Sequence, residues 1–133
     1  MTYRDQLLSC PRCAKPLDRR AQRESWPCPA CGGVAVDSEE LSRLLARVVP
    51  SLATADKLVT PARTTTDRAL ICAACGQPMR AVELHGVALD RCYRDELIWF
   101  DAAELDELLD AVIEDAEARR SWHQKLRDLL FAN

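Results

Sequence analysis

The chain has 133 residues, 48% hydrophobic and 29% charged, with a formal charge of −3. That length holds one ordinary domain or two very small ones, and the balance excludes wholesale disorder and a generally basic nucleic-acid coat protein. No stretch reaches the roughly 18 apolar residues of a membrane span. The opening residues, Met1 to Cys10, lack the apolar centre of a signal peptide, so a soluble cytoplasmic protein is expected.

Seven cysteines direct the reading: Cys10, Cys13, Cys28, Cys31, Cys72, Cys75 and Cys92. Six of them form Cys-x-x-Cys pairs and the total is odd, which suits metal ligation better than a secreted disulfide scaffold. In chain order, Cys10-Pro-Arg-Cys13 is separated by fourteen residues from Cys28-Pro-Ala-Cys31. Four thiolates at that spacing suit tetrahedral Zn²⁺, each short loop delivering two sulfurs. A redox dithiol or an iron–sulfur cluster is the alternative, but no thioredoxin-like βαβ pattern surrounds these pairs. Between them, Asp18 to Glu24 and Ser25-Trp26-Pro27 give a weak strand pattern. Asp37 then stands three residues before Glu40, a capping box, and Val36 can staple onto Leu41. A helix is predicted from Ser38 to Val49 with Leu41, Leu44, Leu45 and Val48 on one stripe, ended by Pro50. Residues 50–69 hold two prolines and a threonine run and read as a linker with a short helix from Ser51 to Val59.

The pattern then starts again. Cys72-Ala-Ala-Cys75 repeats the first pair at an offset of 62, and Cys92 and Asp101-x-x-Glu104-Leu105 repeat Cys28 and Asp37-x-x-Glu40-Leu41 at an offset of 64. The difference is two extra residues in a hairpin predicted from Arg80–Leu84 and Val87–Arg91 around His85-Gly86. This reads as a duplicated module of about 40 residues with no single large core, each copy of a size that usually requires a metal, disulfides or a partner to fold. Domain boundaries are expected at 1–49 for the first module with its helix, 50–69 for the linker, 70–109 for the second module with the start of its helix, and 110–133 for an amphipathic extension.

The second donor set departs from the first: Asp95 takes the place of the fourth cysteine, and Glu96-Leu97 replaces Gly32-Gly33. Asp95 completes a Cys3Asp site, or a water or outside group fills an open position, or packing holds this copy without metal. One or two Zn²⁺ ions per chain follow. The last helix is predicted from Ala102 towards Phe131, capped by Asp101 at the Glu104 amide, with a break near Arg120 because Ser121-x-x-Gln124 is another capping box.

At these residues the chain resembles the TFIIB-type zinc-ribbon family. Cys10-Pro-Arg-Cys13, Cys28-Pro-Ala-Cys31-Gly-Gly33 and Asp37-x-x-Glu40-Leu41 match its pattern, with Ala35 where the family has Trp. Cys72-x-x-Cys75, Cys92 and Ile98-Trp99-Phe100-Asp101-x-x-Glu104-Leu105 match it again. The resemblance implies a small metal-stabilised α+β fold: tandem knuckle–β-hairpin–knuckle ribbons, each followed by a helix. It assigns no reaction.

Three functions compete. The first is a non-enzymatic protein-interaction or regulatory adaptor, with Trp122, Leu126, Leu129, Leu130 and Phe131 as an apolar face for a partner or for self-association. The second is nucleic-acid binding by the first hairpin, through Arg19, Arg20 and Arg23 with Trp26 stacking on a base. The third is zinc catalysis at Cys72, Cys75 and Cys92 with Asp95 or Glu96 as base, which lacks an accompanying nucleophilic constellation. Asp37, Glu40, Asp101 and Glu104 are helix caps by their spacing, and His123 is an exposed helix residue. No catalytic residue, small-molecule substrate or membrane partner is expected. Fifteen arginines against three lysines suggest a GC-rich bacterial genome.

Overall fold

A computed structural model describes residues 7–18, 25–48 and 70–131. The linker, its short helix and Arg19, Arg20 and Arg23 lie outside the described residues. Five strands, β1 (Ser25–Pro27), β2 (Val34–Asp37), β3 (Arg80–Leu84), β4 (Val87–Cys92) and β5 (Leu97–Phe100), accompany three helices, α1 (Ser38–Val48), α2 (Glu104–Val112) and α3 (Ala116–Leu130). The strands form one antiparallel sheet in the order β1-β2-β5-β4-β3.

The seam between the two sequence copies is the β2–β5 pair, in which Ala35 lies opposite Trp99. These two positions are also equivalent under the offset of 64, so the copies meet about a pseudo-two-fold axis through that pair. Strand alternation sorts the buried residues onto two faces. On one face, Val34, Val36, Val82, Leu84, Val87, Leu89, Ile98 and Phe100 pack against leucines of all three helices. On the other, Trp26, Ala35, Leu97 and Trp99 pack with Leu8, Leu17, Met79 and buried cysteines. Both layers draw on both copies. This corrects the expectation of separate small cores: each copy's central strand is apolar on both faces and needs the other copy to cover it.

Local chemistry sets the helix ends. Asp37 Oδ1 accepts from the amides of Glu39 and Glu40 and starts α1. In the second copy the capping box closes from the other side: Glu104 Oε1 accepts from the Asp101 amide at 2.7 Å. The Asp101 side chain does not cap the Glu104 amide as expected, because Arg12 and Trp99 take it. The tight turn His85-Gly86 has φ of 51° and 82°, the doubly left-handed form that matches strand twist.

The long last helix breaks at Ile113–Asp115, not near Arg120. Asp115 captures the Ala118 amide at 2.8 Å, and Arg119 Nε donates to the Ile113 carbonyl, so the chain restarts there. The break lets α3 fold back along α2, where His123 and Arg127 meet Asp106 and Asp110. As a result Leu126 and Leu130 are 1% and 0% exposed, with Trp122, Leu129 and Phe131 packed against the same core. Of the expected docking face, Leu126 and Leu130 are therefore taken up by the core, while Trp122, Leu129 and Phe131 keep part of their surface.

Candidate metal centres

Each Cys-x-x-Cys forms a tight loop. Ala14 donates back to the Cys10 carbonyl, Gly32 to that of Cys28 and Gly76 to that of Cys72. The residue after each second donor position takes a left-handed backbone: Ala14, Gly32, Gly76 and Glu96 have φ of 60°, 79°, 75° and 56°. Glu96 is the informative one. It adopts, without glycine's freedom, the conformation its counterpart Gly32 adopts. Asp95 and Glu96 therefore keep the form of a donor loop although the fourth cysteine is absent. Amides of Arg12 and Cys13 point at Cys10 Sγ, that of Ala74 at Cys72 Sγ and that of Asp95 at Cys92 Sγ, all at 3.3–3.4 Å.

Two donor sets result, Cys10–Cys13–Cys28–Cys31 and Cys72–Cys75–Cys92–Asp95, each with its donor atoms within 4.8 Å of one another. Zinc–sulfur bonds of about 2.3 Å in a tetrahedron place sulfurs about 3.8 Å apart, and a carboxylate oxygen about 3.6 Å from a sulfur. Cys10–Cys31 is 3.8 Å and Cys75–Cys92 is 3.7 Å. Asp95 Oδ2 lies 3.5 Å from Cys72 Sγ and 3.7 Å from Cys92 Sγ. The donor sets fit a tetrahedral divalent ion, and of the competing readings of the second set the geometry matches Asp95 as its fourth donor.

The thiols' acidity agrees with that fit. Burial pushes Cys10 up to about 12, despite the amides of Cys13 and Arg12 that favour its thiolate. Burial pushes Cys72 higher still. Burial also opposes ionisation of Cys28, but the amides of Cys31 and Ala30 and the neighbouring thiols outweigh it and bring Cys28 down to about 7. Sulfurs this close cannot all become thiolates alone, and a dication removes the conflict.

The remaining expected site residues fare differently. Trp26 is 1% exposed, its ring in the buried layer beside Ala35, so it cannot stack on a base. His123 is half-buried, its Nε2 3.1 Å from Asp110 Oδ1. Asp90, Asp101 and Glu104 form a third group of acids within 4.8 Å of one another, already neutralised in part by Arg12. Sequence reasoning missed the contacts between copies. Glu96, itself paired with Arg91 of its own copy, accepts from the Ser38 hydroxyl across the seam, and its carbonyl accepts from the Ser38 amide. Their only sequence signal is that they sit at positions where the two copies differ.

Among the described residues no helix is long and apolar enough to cross a membrane. No curated protein and no solved structure matches the chain. Residues 71–111 match the family model for the TFIIB-type zinc ribbon, described as a transcription factor zinc-finger. The match falls on the copy that carries Asp95: this segment is similar to the TFIIB-type zinc ribbon, and the two donor sets of the small α+β fold are consistent with a metal-binding module.

Proposed function

We propose that the chain is a non-enzymatic, cytoplasmic zinc-binding module that acts by presenting its fold to a protein partner. The supporting observation is that eight donor side chains converge in two tetrahedrally spaced sets whose cysteines also belong to the buried layer of the sheet. Cys10, Cys13, Cys28 and Cys31 would hold one ion; Cys72, Cys75, Cys92 and Asp95 would hold the other. Zinc supplies a cross-link where a small core needs one. With four protein donors in each set, neither has the open coordination position that catalysis uses. A shallow apolar depression lined by side chains including Pro11, Ala73, Met79 and Trp99 has no room for a water-sized molecule. The free thiols suit a reducing compartment.

Affinity capture tests this reading. The metal-loaded chain is expected to return a protein partner that Cys10→Ser and Cys72→Ser variants do not retain. A nucleic-acid role would rest on Arg19, Arg20 and Arg23 without Trp26. Titration of labelled DNA and RNA is expected to show no saturable, salt-sensitive binding tighter than about 10 µM. Such binding, lost when the three arginines are reversed to Glu, would replace the adaptor reading.

A further inference from the structure

The seam between the copies is built from differences between them. Trp99 lies where a side chain on Gly33 would be: a Cβ there would sit 2.4 Å from the ring. The counterpart of Gly33 is Leu97, and the counterpart of Trp99 is Ala35. Two second copies paired about the same axis would drive each Trp99 ring into the other's Leu97. Two first copies would set Ala35 against Ala35 beside two glycines and leave the space of the indole unfilled.

The polar contacts follow the same rule. Glu96 and Ser38 meet across the seam, and their counterparts are Gly32 and Ala102, which cannot exchange a side-chain hydrogen bond. A pair of first copies has the hydroxyl without the carboxylate; a pair of second copies has the carboxylate without the hydroxyl. Arg12 grips Asp101, and the counterpart of Arg12 is Ala74, so a pair of second copies loses that ion pair; a pair of first copies keeps an aspartate there, Asp37, and is disfavoured by the other contacts alone. Steric exclusion and unmatched polar groups together reject like pairs, which is how a specific interface discriminates.

We infer that the β2–β5 seam is a heterospecific docking surface for a second copy of this chain. The first module of one chain takes the second module of another in place of its own, while like modules refuse each other. None of these contacts depends on the two copies being covalently joined. Within one chain the linker keeps the correct partner at an effective concentration of about millimolar, so the intact chain closes on itself first.

Cutting the linker exposes the preference. A protease site placed within residues 49–69 is cleaved in the folded, zinc-loaded full chain. Cut protein with and without ¹⁵N labelling is mixed, stripped of metal in denaturant, refolded with zinc and weighed by native mass spectrometry. The expected products are pairs of one first-copy and one second-copy fragment, with labels scrambled between chains and like pairs below about a tenth of the total. Like pairs near half of all pairs, or fragments that run separately, would overturn the inference. In a second arm Gly33→Leu is expected to weaken fragment pairing more than about 10-fold, and Trp99→Ala in the partner fragment to recover part of that loss. Equal weakening with either second fragment would also overturn it.

Discussion

Arg12 grips Asp101 across the two copies through a two-pronged ion pair, Nε to Oδ1 at 3.0 Å and Nη2 to Oδ2 at 2.8 Å. Asp101 also accepts from Trp99 Nε1 at 2.9 Å, so one carboxylate fixes both a donor loop and the indole at the seam. Its counterpart Asp37 caps a helix instead. The Arg12 side chain is half exposed, so Arg12→Ala should cost no more than about 1 kcal/mol. Asp101→Ala also strands the indole N–H and should cost about 2 kcal/mol. Urea unfolding of the metal-loaded variants measures both; equal losses would contradict the double role.

Gly33→Ala is expected to destabilise by about 3 kcal/mol, because the added carbon meets the Trp99 ring and the Phe100 carbonyl in a packed layer. Trp99→Ala removes a fully buried indole at a cost of about 3–5 kcal/mol. The double variant should lose clearly less than the two losses combined, because the ring that Gly33 accommodates is gone. Strict additivity in thermal unfolding would show that the two residues do not share the space.

The contribution of Glu104 to stability should fall as pH rises towards neutrality. Burial holds the Glu104 carboxyl at about 7 against an ordinary 4.5, with Asp101, Asp90 and Glu107 adding repulsion. Across that window the folded protein keeps a proton that the unfolded chain releases, so ionisation works against folding. Arg12 holds Asp101 below the usual carboxylate range, so its contribution is lost only at more acid pH. Glu104→Gln keeps an acceptor for the Asp101 amide without titrating. Its advantage over the parent protein should grow between about pH 5 and pH 8. A constant difference across that range would contradict this assignment.

Asp95 is expected to decide the strength of the second metal site. Asp95→Ala should lower its affinity at least 10-fold and leave the four-cysteine site intact, whereas Asp95→Cys should slow chelator extraction. Cobalt substitution reads the same change: Asp95→Cys should strengthen the sulfur-to-metal charge-transfer band of that site. An unaltered spectrum would remove Asp95 from the donors.

The features legible in the sequence were local. The donor spacing, the Asp37 cap and the His85-Gly86 turn each depend on residues within a few positions of one another. The break before α3 was misplaced because two capping signals compete: Asp115 reaches the Ala118 amide, while Ser121 continues within a helix anchored by Leu126 and Leu130. The β2–β5 pairing joins residues far apart in the chain, Ala35 with Trp99 at its centre, and has no local signature. Its trace was Ala35, which stands where the resembled family has Trp. In the sheet it lies between Trp26 on one neighbouring strand and Trp99 on the other. Trp26, expected from the sequence to face a base, lies instead in the buried layer with Ala35, Leu97 and Trp99.

The ratio of metal to protein in the purified full-length chain, measured by mass spectrometry with thiols counted on the same sample, tests the central claim most directly. Two zinc ions per chain and no disulfide are expected. One ion per chain would leave the Cys72–Cys75–Cys92–Asp95 set without its metal, and iron in place of zinc or oxidised cysteine pairs would contradict both centres.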